Sequence, residues 1–160
     1  IMGKLVMAFS GPSNSGKTTL ISKLTKEFLA RKLKVAVIKH DPADKASFDT
    51  EGKDSFKFFQ SGADVLVLSP KRSTLFSHSS MDIEQALSLI NADLVLVEGL
   101  KTLKLPRISV FCKEVDESYF KYSQAISSYE KPKTEGLTWL HLDDINGLCE
   151  YILKNAKELD

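Results

Sequence analysis

The sequence predicts a three-layer α/β fold with a mostly parallel sheet, and three observations carry that expectation. Short apolar runs alternate with amphipathic helical periods along most of the chain. Two runs, residues 5–9 and 94–97, are continuously apolar, as strands buried on both faces are. The first leads straight into Gly11-Pro12-Ser13-Asn14-Ser15-Gly16-Lys17-Thr18, which opens into a helical pattern. G-x-x-x-x-G-K-[ST] between a strand and a helix is the pattern of a phosphate loop. Its backbone N–H groups wrap a phosphate, the lysine ammonium reaches further phosphate oxygens, and the hydroxyl binds Mg²⁺. Gly11 and Gly16 permit backbone conformations and a close approach that a Cβ would block. The helix beginning near Lys17 turns its unsatisfied N–H groups toward the anion. A P-loop NTPase fold that binds nucleotide is the expectation.

The remaining elements follow in order. Residues 17 to 32 carry Leu20, Ile21, Leu24, Phe28 and Leu29 on one face of a 3.6-residue period, a helix that packs on a sheet. Val35, Ala36, Val37 and Ile38 form a short apolar strand, read as covered on both faces, that ends in Lys39-His40-Asp41. Ligands of open α/β sheets sit beyond the carboxyl ends of the strands, which places His40 and Asp41 on the rim of the phosphate loop. Residues 42–53 are polar and aperiodic and read as a long loop. Residues 53–61 read as a helix closed by Gly62, and 63–69 as a strand. Residues 71–76 are expected to return antiparallel as an edge strand, with Lys71 and Arg72 as solvated surface.

Asp82 with Gln85 marks a capped helix start, and Ile83, Ala86, Leu87 and Ile90 give it a buried stripe over about ten residues. The apolar strand at 93–98 then delivers the carboxylate of Glu98 at its carboxyl end, followed by Gly99. In phosphate-loop proteins a carboxylate there holds a water or the Mg²⁺ shell beside the loop threonine, here Thr18. Ile108, Val110 and Phe111 indicate a strand after Pro106, residues 113–123 show no period, and 125–128 and 139–142 read as short strands. A closing helix is capped by Asp143 or Asp144 and buries Ile145, Leu148, Cys149, Ile152, Leu153 and Ala156. Gly147 within it costs about 1 kcal/mol against alanine.

Composition bounds the function. A chain of 160 residues, 42% hydrophobic and 27% charged, suits one nucleotide-binding domain over 1–160. A net charge of +1 argues against non-specific nucleic-acid binding. The only arginines are Arg31, Arg72 and Arg107, and none is expected near the motifs. A lid that closes guanidinium groups over a triphosphate therefore has little to work with, and intrinsic hydrolysis is expected to be slow. Cys112 and Cys149 are too few and too far apart for a disulfide framework or a structural zinc site, which points to a reducing cytoplasm. No apolar run approaches a membrane span, and the first is too short for a signal peptide.

The ordered set of G-P-S-N-S-G-K-T-T-L at 11–20, Ile38-Lys39-His40-Asp41, Gly52-Lys53-Asp54-Ser55-Phe56, Ser61-Gly62-Ala63 and Asp93 through Lys101 resembles the molybdopterin-guanine dinucleotide biosynthesis protein B (MobB) family. The resemblance implies a small homodimeric GTP-binding accessory protein of molybdenum cofactor biosynthesis with weak Mg²⁺-dependent GTPase activity. It also implies a molybdopterin guanylyltransferase-type partner protein, with molybdopterin itself as a further ligand. Carried over by position, Gly11, Pro12, Ser13, Asn14, Ser15, Gly16, Lys17, Thr18 and Thr19 hold the phosphates. Thr18, Asp41 and Glu98 face the metal, and Lys17, Asp41 and Glu98 serve the chemistry. Two departures stand out. Relatives often place a second histidine shortly after His40, where this chain has Pro42-Ala43-Asp44-Lys45. Where relatives carry Ser-Asp at the end of a late strand, this chain has Ser128-Tyr129-Glu130. No N-K-x-D motif occurs, so guanine preference rests on the resemblance alone. A small-molecule or nucleotide kinase and a pure interaction module are the alternatives. The loop at 42–53 is expected to be a nucleotide-sensing segment, linked to the metal shell by Asp41.

Overall fold

Strand β1 (Lys4–Ser10) is the centre of a seven-stranded sheet in the computed structural model, which describes residues 3–160. It is flanked by β5 (Leu94–Glu98) and β6 (Arg107–Phe111), and β5 in turn pairs with β2 (Val35–Lys39). β6 continues to β7 (Ala125–Ser128) and β8 (Thr138–His141). All these pairings are parallel, which confirms the α/β fold with a mostly parallel sheet. The β1–β5 register sets Phe9 beside Glu98. The phosphate loop and the Glu98 carboxylate therefore leave the sheet on neighbouring strand ends. Helices α1 (Lys17–Ala30) and α4 (Ile145–Asn155) complete this part of the molecule.

The core explains why these segments form these elements. Met7, Phe9, Leu94, Leu96, Ile108 and Val110 alternate onto one sheet face and are fully buried. They meet Leu24 and Phe28 of α1 and Leu148, Cys149 and Ile152 of α4, the apolar stripes that the helical period presents. Each such side chain contributes about 1.5–3 kcal/mol. Val6, Ala8, Val95 and Val97, on the alternate positions, are buried too, as central parallel strands require.

The described residues divide into two compact units, one running up to His40 and resuming over Leu89–Asp160 and one of Asp41–Ser88. The second unit holds α2 (Asp54–Gln60), an antiparallel ribbon of β3 (Val65–Ser69) and β4 (Arg72–Phe76), and most of α3 (Ile83–Leu89). Phe59 of α2 meets Phe76 edge-on at 6.3 Å and stacks on His78 at 3.8 Å. The expected capping box forms reciprocally: Gln85 N donates to Asp82 Oδ1 at 2.8 Å, and Asp82 N donates to Gln85 Oε1 at 3.0 Å.

Several expectations are corrected. β2 is an edge strand paired only with β5, and its Val37 is 46% exposed, so it is not covered on both faces. β4 does return antiparallel along β3, as expected, and the two form a separate two-stranded sheet. α3 has seven residues, with Leu87 alone fully buried, where about ten were expected. The last strand, β9 (Lys157–Leu159), was not expected, and it pairs antiparallel with Lys4, Leu5 and Val6. Gly147 has a local reason: a Cβ there would lie 2.2 Å from Oδ2 of Asp144, whose Oδ1 accepts the Gly147 N–H and caps α4.

Candidate phosphate-binding site

The loop between β1 and α1 is shaped by close contacts. Gly11 has φ +151°, and a Cβ on it would meet Val110 O at 2.5 Å and Ser15 Oγ at 2.6 Å, so no side chain fits. Asn14, at φ 59°, takes the left-handed conformation that asparagine tolerates. Ser15 N donates to Pro12 O at 3.2 Å, and Cys112 N donates to Ser15 O at 2.8 Å, which ties the loop to the end of β6. No side chain caps the start of α1 at Gly16, so its first N–H groups face the loop. The buried Ser15 Oγ has no hydrogen-bond partner. Uncapped N–H groups at a helix start are the kind of donors an anion takes.

Lys17 reaches back to the loop. Its ammonium donates to Gly11 O and, at 3.2 Å, to Pro12 O, and lies 3.6 Å from Glu98 Oε1. Lys17 and Glu98 are both mostly buried, so this pair is less screened than a surface one. Thr18 is exposed and lines, with Glu98, Lys39 and Val37, a cavity of about 410 Å³. His40 N donates to Glu98 O at 3.0 Å, which puts His40 on the rim the sequence indicated. Asp41 belongs to the other unit, and its Oδ2 accepts the Ala46 N–H at 2.6 Å, a bond that shapes its own loop. Among the described residues no cluster of three or more His, Cys, Asp or Glu side chains could hold a metal.

Some neighbours of the loop were not anticipated. A cavity of about 190 Å³ on the far side of Gly16 is lined by Thr19, Lys23, Cys112, Tyr129 and Asp143. A larger one of about 690 Å³ shares Cys112 and Tyr129 and adds Lys113, Glu130 and Lys131. Tyr129 is half exposed, while Ser128 turns inward, where its Oγ accepts from Trp139 Nε1 at 3.0 Å and donates to Glu130 O at 2.6 Å. The sequence signal for Cys112 and Tyr129 was their position just past strand ends. The expectation that no arginine lies near the motifs is also corrected. Arg107 is fully buried, with Nη1 donating to Ser10 Oγ and to Gly99 O, both at 2.7 Å. Its position 97 residues after Ser10 hid that contact.

A parallel sheet whose first strand ends in this loop and whose neighbour ends in a carboxylate is the architecture of the P-loop NTPases. No helix of the described residues is long and apolar enough to cross a membrane. The family profile described as MobB, molybdopterin guanine dinucleotide synthesis protein B, matches residues 6–128, and the chain belongs to that family. A putative molybdopterin-guanine dinucleotide biosynthesis adapter protein of Methanocaldococcus jannaschii is 38% identical over 120 residues, covering 71% of this chain and 49% of that one. The adapter protein of Haemophilus influenzae is 35% identical over 116 residues, covering 69% of this chain and 65% of its own length. The chain therefore spans about half to two thirds of these two relatives. A crystal structure of molybdopterin-guanine biosynthesis protein B superposes with a TM-score of 0.77 at 29% identity, covering 94% of this chain and 99% of that one.

Proposed function

We propose that the chain is a GTP-binding adapter protein of molybdopterin guanine dinucleotide biosynthesis with slow Mg²⁺-dependent GTPase activity. The observation that carries this reading is Lys17, seated in the phosphate loop 3.6 Å from Glu98, with Thr18 and Glu98 lining one cavity. The relatives' names as adapter proteins support the pathway, and with it a guanine nucleotide. The loop N–H groups and Lys17 hold the phosphates, the unpaired Ser15 Oγ adds a donor, and Tyr129 offers an aromatic face to the base. Thr18 and Glu98 give an all-oxygen donor pair that suits a hard cation completed by phosphate oxygens. Mg²⁺, when bound, supplies neutralisation of charge on the transferred phosphate.

Hydrolysis is slow in this reading, because a positioned arginine finger is worth about 10³–10⁵ in rate and Arg107 has its fork turned to neutral acceptors inside the protein. The partner is a guanylyltransferase-type protein that handles molybdopterin, and the chain acts in the cytoplasm. A second copy of the chain covers the ribbon face that carries Leu66, Leu68 and Leu75, which are 58%, 77% and 53% exposed. Thr18→Ala is expected to weaken binding of GTP with Mg²⁺ about tenfold and binding in EDTA far less. Turnover by the purified chain should stay well below several per second. Equal loss in both titrations removes Thr18 from the metal, and fast turnover replaces the adapter with an autonomous enzyme.

Residues 42–53, which hold no helix or strand, are the proposed nucleotide-sensing segment. Hydrogen exchange there should slow when Mg²⁺ and a non-hydrolysable GTP analogue are added. Unchanged exchange beside a protected phosphate loop leaves only a binding site.

A further inference from the structure

Arg107 opens β6 and is completely buried, yet no carboxylate of the described residues pairs with it. Its Nη1 donates to Ser10 Oγ and Gly99 O, each at 2.7 Å. Its Nη2 donates to Leu100 O at 2.7 Å and to Leu103 O at 3.3 Å, while Nε has no partner. Four of the five guanidinium donors are thus spent on neutral oxygens, three of them backbone carbonyls of one turn. Burying a cation this way is costly, and a hydrophobic residue would fill the space more cheaply. The acceptors indicate what the cost secures. Ser10 is the last residue of β1, directly ahead of the phosphate loop. Gly99 and Leu100 directly follow Glu98 and take positive φ, 96° and 54°. Leucine resists that conformation, so the turn persists only where its surroundings hold it.

We propose that Arg107 is a positioning residue of the site: its fork locks the Gly99–Leu100 turn to the end of β1 and so sets the Glu98 carboxylate against Lys17 and Thr18. This rests on the nucleotide-binding reading above. Lysine at 107 keeps the charge but cannot make the planar two-nitrogen bridge. Ser10→Ala removes one arm of the bridge and leaves the rest of the core intact.

The test compares affinity for a fluorescent GTP analogue in Mg²⁺ and in EDTA, on the full chain and on folded variants checked by circular dichroism. Arg107→Lys should keep the EDTA affinity within about twofold and lose about tenfold of the Mg²⁺-dependent gain, with Ser10→Ala losing about threefold. Each loss should be non-additive with Glu98→Gln, because both act through the same carboxylate. A folded Arg107→Lys or Ser10→Ala with its full Mg²⁺-dependent gain, or with losses that add to those of Glu98→Gln, overturns the proposal alone. If Arg107→Lys does not fold, Ser10→Ala decides. Absence of GTP binding by the unaltered chain overturns the nucleotide reading and this proposal together.

Discussion

Cys149 shows how a single buried atom acquires a pH dependence. It lies on the inner face of α4, fully buried, and burial pushes its thiol up from 9.0 to about 11, with Arg31 pulling weakly the other way. The folded chain therefore holds this proton more tightly than the unfolded chain. Below about pH 9 both states are neutral at this position and its contribution is fully present. Between about 9 and 11 only the unfolded chain ionises, so stability falls, by at most about 2–3 kcal/mol. Urea midpoints measured across that window should drop more steeply for the native sequence than for Cys149→Ala. Parallel slopes would assign the alkaline loss to other groups, such as Tyr119 and Tyr151, whose hydroxyls burial also raises.

At the scale of elements, one edge of β1 is shared end to end. β9 pairs with Lys4, Leu5 and Val6, and β6 takes over from Ala8 to Ser10. Deleting residues 157–160 leaves the first part of that edge without its ladder and should cost about 1–3 kcal/mol, read as a lower denaturation midpoint. An unchanged midpoint would make β9 incidental. Nothing in the sequence announces this strand, because Lys157-Glu158-Leu159 has one apolar residue and its pairing is made by backbone. The phosphate loop, α1 and the Asp82–Gln85 box were legible because their chemistry is local. The apolar run at 35–38 was legible as a strand but not as an edge, since neighbours distant in sequence decide which faces are covered. The partners of Arg107 were hidden for the same reason, and Tyr129 could be seen as a departure from the family pattern but not as a wall of two cavities.

At the scale of the molecule, the two units differ in how much apolar surface they bury. Leu66 and Leu68 alternate onto one ribbon face, with Leu75 directly opposite Leu66, and all three are exposed. A face of this kind is a liability unless a partner covers it. Leu66→Asp combined with Leu68→Asp should convert the proposed homodimer to a species of 17.8 kDa by light scattering, with the phosphate loop untouched. A double variant that keeps twice that mass would move the contact elsewhere. The other unit has a consequence in time. Every partner of β1 is distant in sequence: Leu5 pairs with both Leu94 and Glu158. As a ribosome releases the chain, the apolar β1 emerges before every strand it pairs with, β5, β6 and β9. Closing such long loops is slow, and an unpaired apolar strand invites aggregation while it waits. The central strand that organises the finished sheet is therefore the segment most in need of a chaperone during synthesis.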